Sequence, residues 1–338
     1  MSPLVDLRSD TVTRPTPEMR RAMAEAEVGD DGYGEDPTVN ALEAEFAERL
    51  GMQAALYVPS GVMANQVALR VLAPPGTTVL VGRRQHLVAY ENGAGAGNSQ
   101  AQLVPLDDDD GLLDPNDILW AKEAAFHHHP SPGMVAVENT HMASGGRVCH
   151  PEAMKTLVAA SGDLPVYVDG ARIFNAEVAA GIPAARLVEG AAAAMACLSK
   201  GLCAPVGSVL AGPEDTIAAA RVERHRLGGA MRQAGVIAAA GLVALRTMVD
   251  RLAEDHRRAH RLAEAVAERW PGSIDPAEVA TNCVVFPHPD TAALLAHLEA
   301  AGVLGGTIEP GVMRLMTHHD VDDEGVERTL VALADAPR

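Results

Sequence analysis

Short β-rich runs alternate with amphipathic helical stretches along most of this chain, and that alternation restricts its fold more than any other feature. A run at 55–58 leads into a helical stretch at 62–72, and further runs follow at 78–81, 134–137, 166–168 and 208–211, each bounded by Gly, Pro or Asp. β-rich runs between helical patterns predict βαβ units around a mainly parallel sheet. Upstream, Thr16-Pro17 predicts a helix start with a capping hydroxyl and a proline in the first turn, and Gly29 lies beyond its end. Val39, Leu42, Phe46 and Leu50 recur at helical spacing and predict a second helix from about Asp36-Pro37 to Gly51. No repeat of 20–50 residues is present. Near residue 247 the texture changes to a long charged helix (250–270), a strand-like run (283–286), a helix (291–301) and a second run (312–315). The expectation is an α/β fold: a large domain over 1–246 and a smaller C-terminal α+β domain over 247–338.

Chemistry-bearing residues fall at the ends of these runs. Lys200 follows the almost purely apolar stretch 191–198. A poorly solvated amine loses its proton more easily, and a neutral amine is what a Schiff base needs; the competing reading is a lysine snorkelling from a surface strand. Lysine occurs only at 122, 155 and 200, against 24 arginines, which sharpens the question of why position 200 is lysine. Asp169 ends the run at 166–168, at the crevice where open α/β sheets bind ligands; alone it reads rather as a helix cap, and an aspartate and a lysine ending two nearby strands point more strongly to a ligand. Pro59-Ser60-Gly61 joins a strand to a helix and offers free N–H groups to a phosphate. His86 and His141 follow two of the strands and lie at the same sheet edge, where an imidazole can move protons or stack on a ring. Arg172, Arg314 and Ser9 are candidates for holding a carboxylate, since an arginine fork matches it with two hydrogen bonds.

Other segments read more simply. Gly93–Gly97 is glycine-rich but lacks the flanks of a phosphate loop, and it reads as a loop. The run 107–110 of four aspartates reads as a solvated turn, and His127-His128-His129 as a solvated loop. Neither a dinucleotide nor an ATP phosphate fingerprint occurs. No metal ligand set is assigned: the cysteines at 149, 197, 203 and 283 have no zinc spacing and read as buried free thiols in a reducing compartment. The formal net charge of -18 argues against nucleic acid as a partner. The longest apolar run is too short for a bilayer, and the first residues lack the regions of a signal peptide.

Several ordered motifs together resemble the low-specificity L-threonine aldolases, a fold-type-I family of pyridoxal-phosphate enzymes related to β-eliminating lyases. They are the stretches 9–16 and 29–38, Glu138-Asn139-Thr140-His141, Asp169-Gly170-Ala171-Arg172, the stretches 198–202 and 205–208, Met231-Arg232-Gln233 and the stretch 314–318. The free thiols give the expectation of a cytoplasmic protein, and the resemblance implies an enzyme that cleaves the Cα–Cβ bond of a β-hydroxy-α-amino acid to glycine and an aldehyde. It implies that Lys200 carries pyridoxal 5'-phosphate, that Asp169 pairs with the ring nitrogen, that His86 stacks on the ring and that Ser60 and Gly61 meet the phosphate. Ser9, Arg172 and Arg314 would surround the substrate carboxylate. The group that takes the β-hydroxyl proton stays open between His86, His141 and a water they hold. Family members are homotetramers with sites at a dimer interface, which would put Arg232 on the partner's side.

The chain departs from the family at three places. His225 stands where a lysine is usual, with Arg224 and Arg226 as the nearest replacements; the glycine run before Met231 reads Gly228-Gly229-Ala230; and Met142 stands where a polar residue commonly follows the histidine. The rival readings are a pyridoxal-phosphate β-eliminating lyase or transaminase, a nicotinamide dehydrogenase on a doubly wound sheet, and a non-catalytic interaction protein.

Overall fold

Along β-strands successive side chains face opposite sides, and the strands of this protein divide their apolar residues accordingly. Leu80, Val135, Val137, Val166 and Val168 join one buried cluster, whereas Val79, Val81, Met134, Ala136 and Tyr167 join another on the opposite face. Both faces of the sheet are therefore covered, as a parallel sheet requires.

The computed structural model describes residues 4–337. In chain order its strands are β1 (Val5–Asp6), β2 (Ala54–Val58), β3 (Thr78–Gly82), β4 (Gln102–Leu106), β5 (Pro132–Glu138), β6 (Val166–Asp169), β7 (Ala193–Cys197), β8 (Ser208–Gly212), β9 (Cys283–Pro287), β10 (Val303–Leu304), β11 (Gly306–Glu309) and β12 (Val312–Met316). The main sheet has seven strands in the order β2-β8-β7-β6-β5-β3-β4. It is mainly parallel, as expected, but β8 runs antiparallel to both its neighbours. The connection from β7 has no helix and is too short for a crossover, so the chain can only return beside β7. Strand β4 went unforeseen because Pro105 interrupts the run; it lies at the sheet edge, where a proline does least harm.

The helix starts follow their caps. Thr16 Oγ1 accepts the Met19 N–H ahead of the helix Pro17–Ala24, and Asp36 accepts from Thr38 and Val39 ahead of Pro37–Arg49. Val39, Leu42 and Phe46 of the second helix are fully buried, with Phe46 edge-on to Phe174 at 6.3 Å. Burying each such side chain contributes about 1.5–3 kcal/mol. The glycine-rich segment near 93–97 is not a loop: Ala94–Ser99 forms a short helix, and Gly95 lies so close to Leu103 that a Cβ would stand 2.9 Å from it. All four cysteines are free and buried; burial pushes Cys149 and Cys203 up to about 12 and Cys283 to about 11.

The smaller C-terminal region packs the antiparallel sheet β11-β12-β9 against the helices Leu252–Arg269, Thr291–Ala300 and Asp323–Ala334. The N-terminal segment belongs to this packing unit, since β1 pairs in parallel with β10, and Val5 and Leu7 enter its core. From there residues 8–13 cross to the main sheet, where Thr13 Oγ1 donates to the Lys200 carbonyl at 2.7 Å. Among the described residues no helix is long and apolar enough to cross a membrane.

Candidate active site

The parallel strands end on one edge, and they deliver the charged groups there. Strand β6 ends at Asp169, β5 ends opposite it at Glu138, β7 leads to Lys200, and β3 leads to His86 at the start of the short helix His86–Ala89. Ser60, Gly61, Asn65, His86, Asp169 and Lys200 line one cleft with about 460 Å³ of free space. Five sequence candidates thus converge.

Within the cleft the polar groups form one network. Asp169 is buried; its Oδ1 accepts the Ala171 N–H at 3.1 Å and its Oδ2 accepts from Asn65 Nδ2 at 2.8 Å. The same Asn65 nitrogen donates to Glu91 Oε1 at 2.6 Å, and Tyr167 OH donates to Asn65 Oδ1 at 2.6 Å. His86 Nδ1 lies 2.9 Å from Glu91 Oε1. Burial works against the charged imidazole, but the Glu91 hydrogen bond and the Asp169 charge outweigh it, so His86 titrates above its ordinary value. His86, Glu91 and Asp169 offer atoms within 4.8 Å of one another, a spacing a metal ion would also accept. Asn65 already bridges the two carboxylates, however, which makes this a hydrogen-bond network.

Beside the cleft, the N-terminal segment runs between two arginines. Arg172 donates through Nε and Nη2 to Asp10, at 2.7 and 2.6 Å. Burial opposes ionisation of Asp10, but the Arg172 charge and hydrogen bonds, with Lys200 nearby, hold it at about 2. Arg314 is half-buried, donates through Nη2 to the Arg8 carbonyl at 2.8 Å, and touches Met142 Sδ with Nη1 at 3.4 Å. Its Nε is buried without a partner, and no carboxylate lies within ion-pair distance among the described residues. Burial lowers its pKa. Ser9 sits between these groups in sequence, capping the turn Asp10–Val12 through its Oγ.

Two candidates stand apart. His141 is fully buried and does not line the cleft; Nδ1 meets Ser144 Oγ at 2.8 Å and Nε2 meets Asp108 Oδ2 at 2.9 Å. Asp108 therefore corrects the reading of 107–110 as a solvated turn: it is 1% exposed and also accepts the Arg84 N–H, while its three neighbours remain outside. Arg232 does not line the cleft either; its side chain is 69% exposed, 3.7 Å from Asp30. Of the two replacements near the exposed His225, Arg224 is buried against Asp31 and the Tyr57 carbonyl, and Arg226 pairs with Glu223. Sequence reasoning missed Asn65 and Glu91. Asp10 and Glu138 lay inside quoted motifs without a role; Glu138 accepts both the His86 and Met142 N–H groups, at 2.6 and 2.9 Å.

These residues fit pyridoxal phosphate. At Gly61 a Cβ would stand 2.7 Å from Cys197 Sγ, so only glycine leaves the helix start open beside β7. Ser60 Oγ accepts the Met63 N–H at 3.2 Å, and the N–H groups of Gly61 and Val62, which line the cleft, start the helix Gly61–Leu72 without a partner within it, an arrangement that favours a phosphate. Ser208 Oγ, 3.6 Å from that same Cβ position, is buried without a hydrogen-bond partner. A lysine and a buried carboxylate complete the set that the cofactor requires.

Comparison with known proteins agrees. A family model described as beta-eliminating lyase matches residues 6–288. Low-specificity L-threonine aldolase 1 of Arabidopsis thaliana is 40% identical over 342 residues, covering 96% of this chain and 94% of the plant protein. The low specificity L-threonine aldolase of Escherichia coli K12 is 40% identical over 326 residues, covering 95% of this chain and 96% of that one. A Leishmania major threonine aldolase has the same fold, with a TM-score of 0.82 at 20% identity over 97% of this chain and 98% of the other. The chain belongs to the low-specificity L-threonine aldolase family, within the fold-type-I pyridoxal-phosphate enzymes related to beta-eliminating lyases.

Proposed function

We propose that the protein cleaves L-threonine, L-allo-threonine and related β-hydroxy-α-amino acids into glycine and an aldehyde. The observation that carries this reading is an acid–base imidazole, His86, in one cleft with Lys200 and Asp169; Arg314, which does not line that cleft, adds a cation whose buried Nε lacks a partner. An α-amino acid supplies the missing carboxylate, and a β-hydroxyl supplies the proton for the imidazole.

Pyridoxal phosphate, bound through Lys200, supplies the electron sink for the broken bond. Asp169 holds the proton on the ring nitrogen. The helix N-terminus at Ser60-Gly61, with Ser208, receives the phosphate. Arg314, the Nη1 of Arg172 and Ser9 would grip the substrate carboxylate and so fix the direction of the Cα–Cβ bond. His86, directly or through a water, would take the β-hydroxyl proton, so that the C–O bond becomes a carbonyl as the Cα–Cβ bond breaks. The electron pair left at Cα, for which the bound cofactor would supply the sink, would then take up a proton, and the products would be an aldehyde and glycine. His141 has both ring nitrogens engaged, which favours His86 for the proton transfer. Arg232, exposed on the surface, serves the partner's site in a dimer-built tetramer.

The family description favours one alternative, β-elimination from a small amino acid, which releases pyruvate and ammonia. Incubating the cofactor-loaded protein with L-threonine, L-allo-threonine and phenylserine separates the two. Glycine with the matching aldehyde supports retro-aldol cleavage, and a keto acid with ammonia refutes it.

A further inference from the structure

Glu91 is the least expected group in the cleft. Its side chain is fully buried, and its only ionisable partner within ion-pair distance among the described residues is His86. It accepts from three donors: Asn65 Nδ2 at 2.6 Å, Gln66 Nε2 at 2.6 Å and the His86 ring at 2.9 Å. A carboxylate in that position is acceptor-only, so the facing ring nitrogen must carry a proton. Asn65 cannot turn its amide over to relax the arrangement, because Tyr167 OH donates to its Oδ1 and both carboxylates accept from its Nδ2.

We propose that Glu91 is a positioning residue for the reaction: it fixes His86 with Nδ1 protonated, leaving Nε2 as the nitrogen that takes and returns a proton in the cleft, while Asn65 ties this arrangement to Asp169. The inference rests on the retro-aldol reading only for the identity of the proton moved. The groups around the His86 ring are Glu91 beyond its own helix, Asp169 from β6, Lys200 after β7 and the Tyr90 ring at 5.7 Å; Glu138 of β5 holds its backbone N–H. Burial and Lys200 disfavour the imidazolium, and Glu91 and Asp169 favour it. Removing the Glu91 charge leaves Asp169 alone against burial and Lys200, and the balance tips down.

The test uses the cofactor-loaded protein with ¹⁵N-labelled histidine, the His86 signals being identified by their loss in His86→Gln. In the wild type the neutral ring is expected as the Nδ1–H tautomer. In Glu91→Gln the two tautomers should mix and the pKa should fall, because the Glu91 hydrogen bond and charge that favour the imidazolium are lost, with Glu91→Asp recovering part of the shift. On L-threonine, Glu91→Gln should lower kcat by roughly 10- to 100-fold, with KM changing far less. An Nε2–H tautomer in the wild type overturns the proposal without any variant, so failure of Glu91→Gln to fold does not protect it. An unshifted His86 pKa in folded Glu91→Gln overturns it as well. Tautomer and pKa are read without substrate, so absence of glycine from L-threonine would count against the retro-aldol reading alone.

Discussion

Asp10 and Arg172 close a two-point ion pair away from bulk water, with side-chain exposures of 0% and 9% and N–O distances of 2.6 and 2.7 Å. The pair joins the N-terminal segment to the turn that follows Asp169. It also takes two of the guanidinium's three nitrogens, so Arg172 reaches a substrate only through Nη1. Sequence reading had offered this arginine as a full fork for a carboxylate; Asp10 already fills most of that fork.

Asp10→Asn leaves a buried guanidinium without its counter-charge, and the expected cost is about 3–5 kcal/mol. The pH dependence has a definite sign. Asp10 titrates at about 2 in the folded protein against an ordinary 3.8. Its contribution is therefore complete above roughly pH 4 and disappears as the pH falls through 2. Urea unfolding of both proteins should show a constant gap near neutral pH that narrows below about pH 4. A gap independent of pH down to the acid limit would contradict the ion-pair account.

The main sheet was legible because β-rich runs bounded by Gly, Pro and Asp carry their own signal, and because ligands sit at the carboxyl ends of such strands. Lys200, Asp169 and His86 could be placed together on that basis alone. What escaped were side chains whose partners are distant in sequence. Asn65 meets Asp169 across 104 residues and Asp10 meets Arg172 across 162, and no local pattern encodes either contact. In the run 107–110 nothing local distinguishes Asp108, which turns inward to His141, from its solvated neighbours. Nothing local marks Glu91, five residues after His86, as buried, since its partners Asn65 and Gln66 come from another helix.

Lys200→Ala should fold normally, because the backbone there is held by Thr13 Oγ1 and by the Cys203 N–H, neither of which needs the side chain. It should lose the visible absorbance of bound cofactor and nearly all turnover. An unchanged visible spectrum in the purified variant would rule out Lys200 as the attachment point.

Asp169→Asn should keep the fold, since an amide oxygen can still accept from Asn65 or from Ala171 N–H. It should cripple catalysis, because an amide cannot hold the ring-nitrogen proton as a carboxylate does. Losing a charge-assisted contact of about 1.5–3 kcal/mol lowers kcat roughly 10- to 150-fold. Near wild-type kcat in a cofactor-saturated sample would remove this role.

Arg314 offers the sharpest separation of function from architecture. It stands near the Asp10–Arg172 pair, whose single carboxylate is held by Arg172, so the charge of Arg314 has no counter-ion within ion-pair distance among the described residues. Its Nη2 braces the Arg8 carbonyl, yet its Nε is buried and unpartnered. In the proposed function, a substrate carboxylate would resolve both deficits at once. Arg314→Ala should then retain the cofactor spectrum and raise KM for L-threonine roughly 10- to 150-fold, the equivalent of about 1.5–3 kcal/mol. It should also lower kcat, because a loosely held carboxylate no longer orients the Cα–Cβ bond. Arg314→Lys restores the charge but not the planar fork, and so recovers only part of the loss. Were Arg314 only a brace between β12 and the N-terminal segment, the alanine variant would melt at a lower temperature while its folded fraction kept wild-type kinetics. Kinetics and melting measured on one preparation decide between these outcomes, and unchanged KM with lost stability would eliminate the carboxylate-binding role.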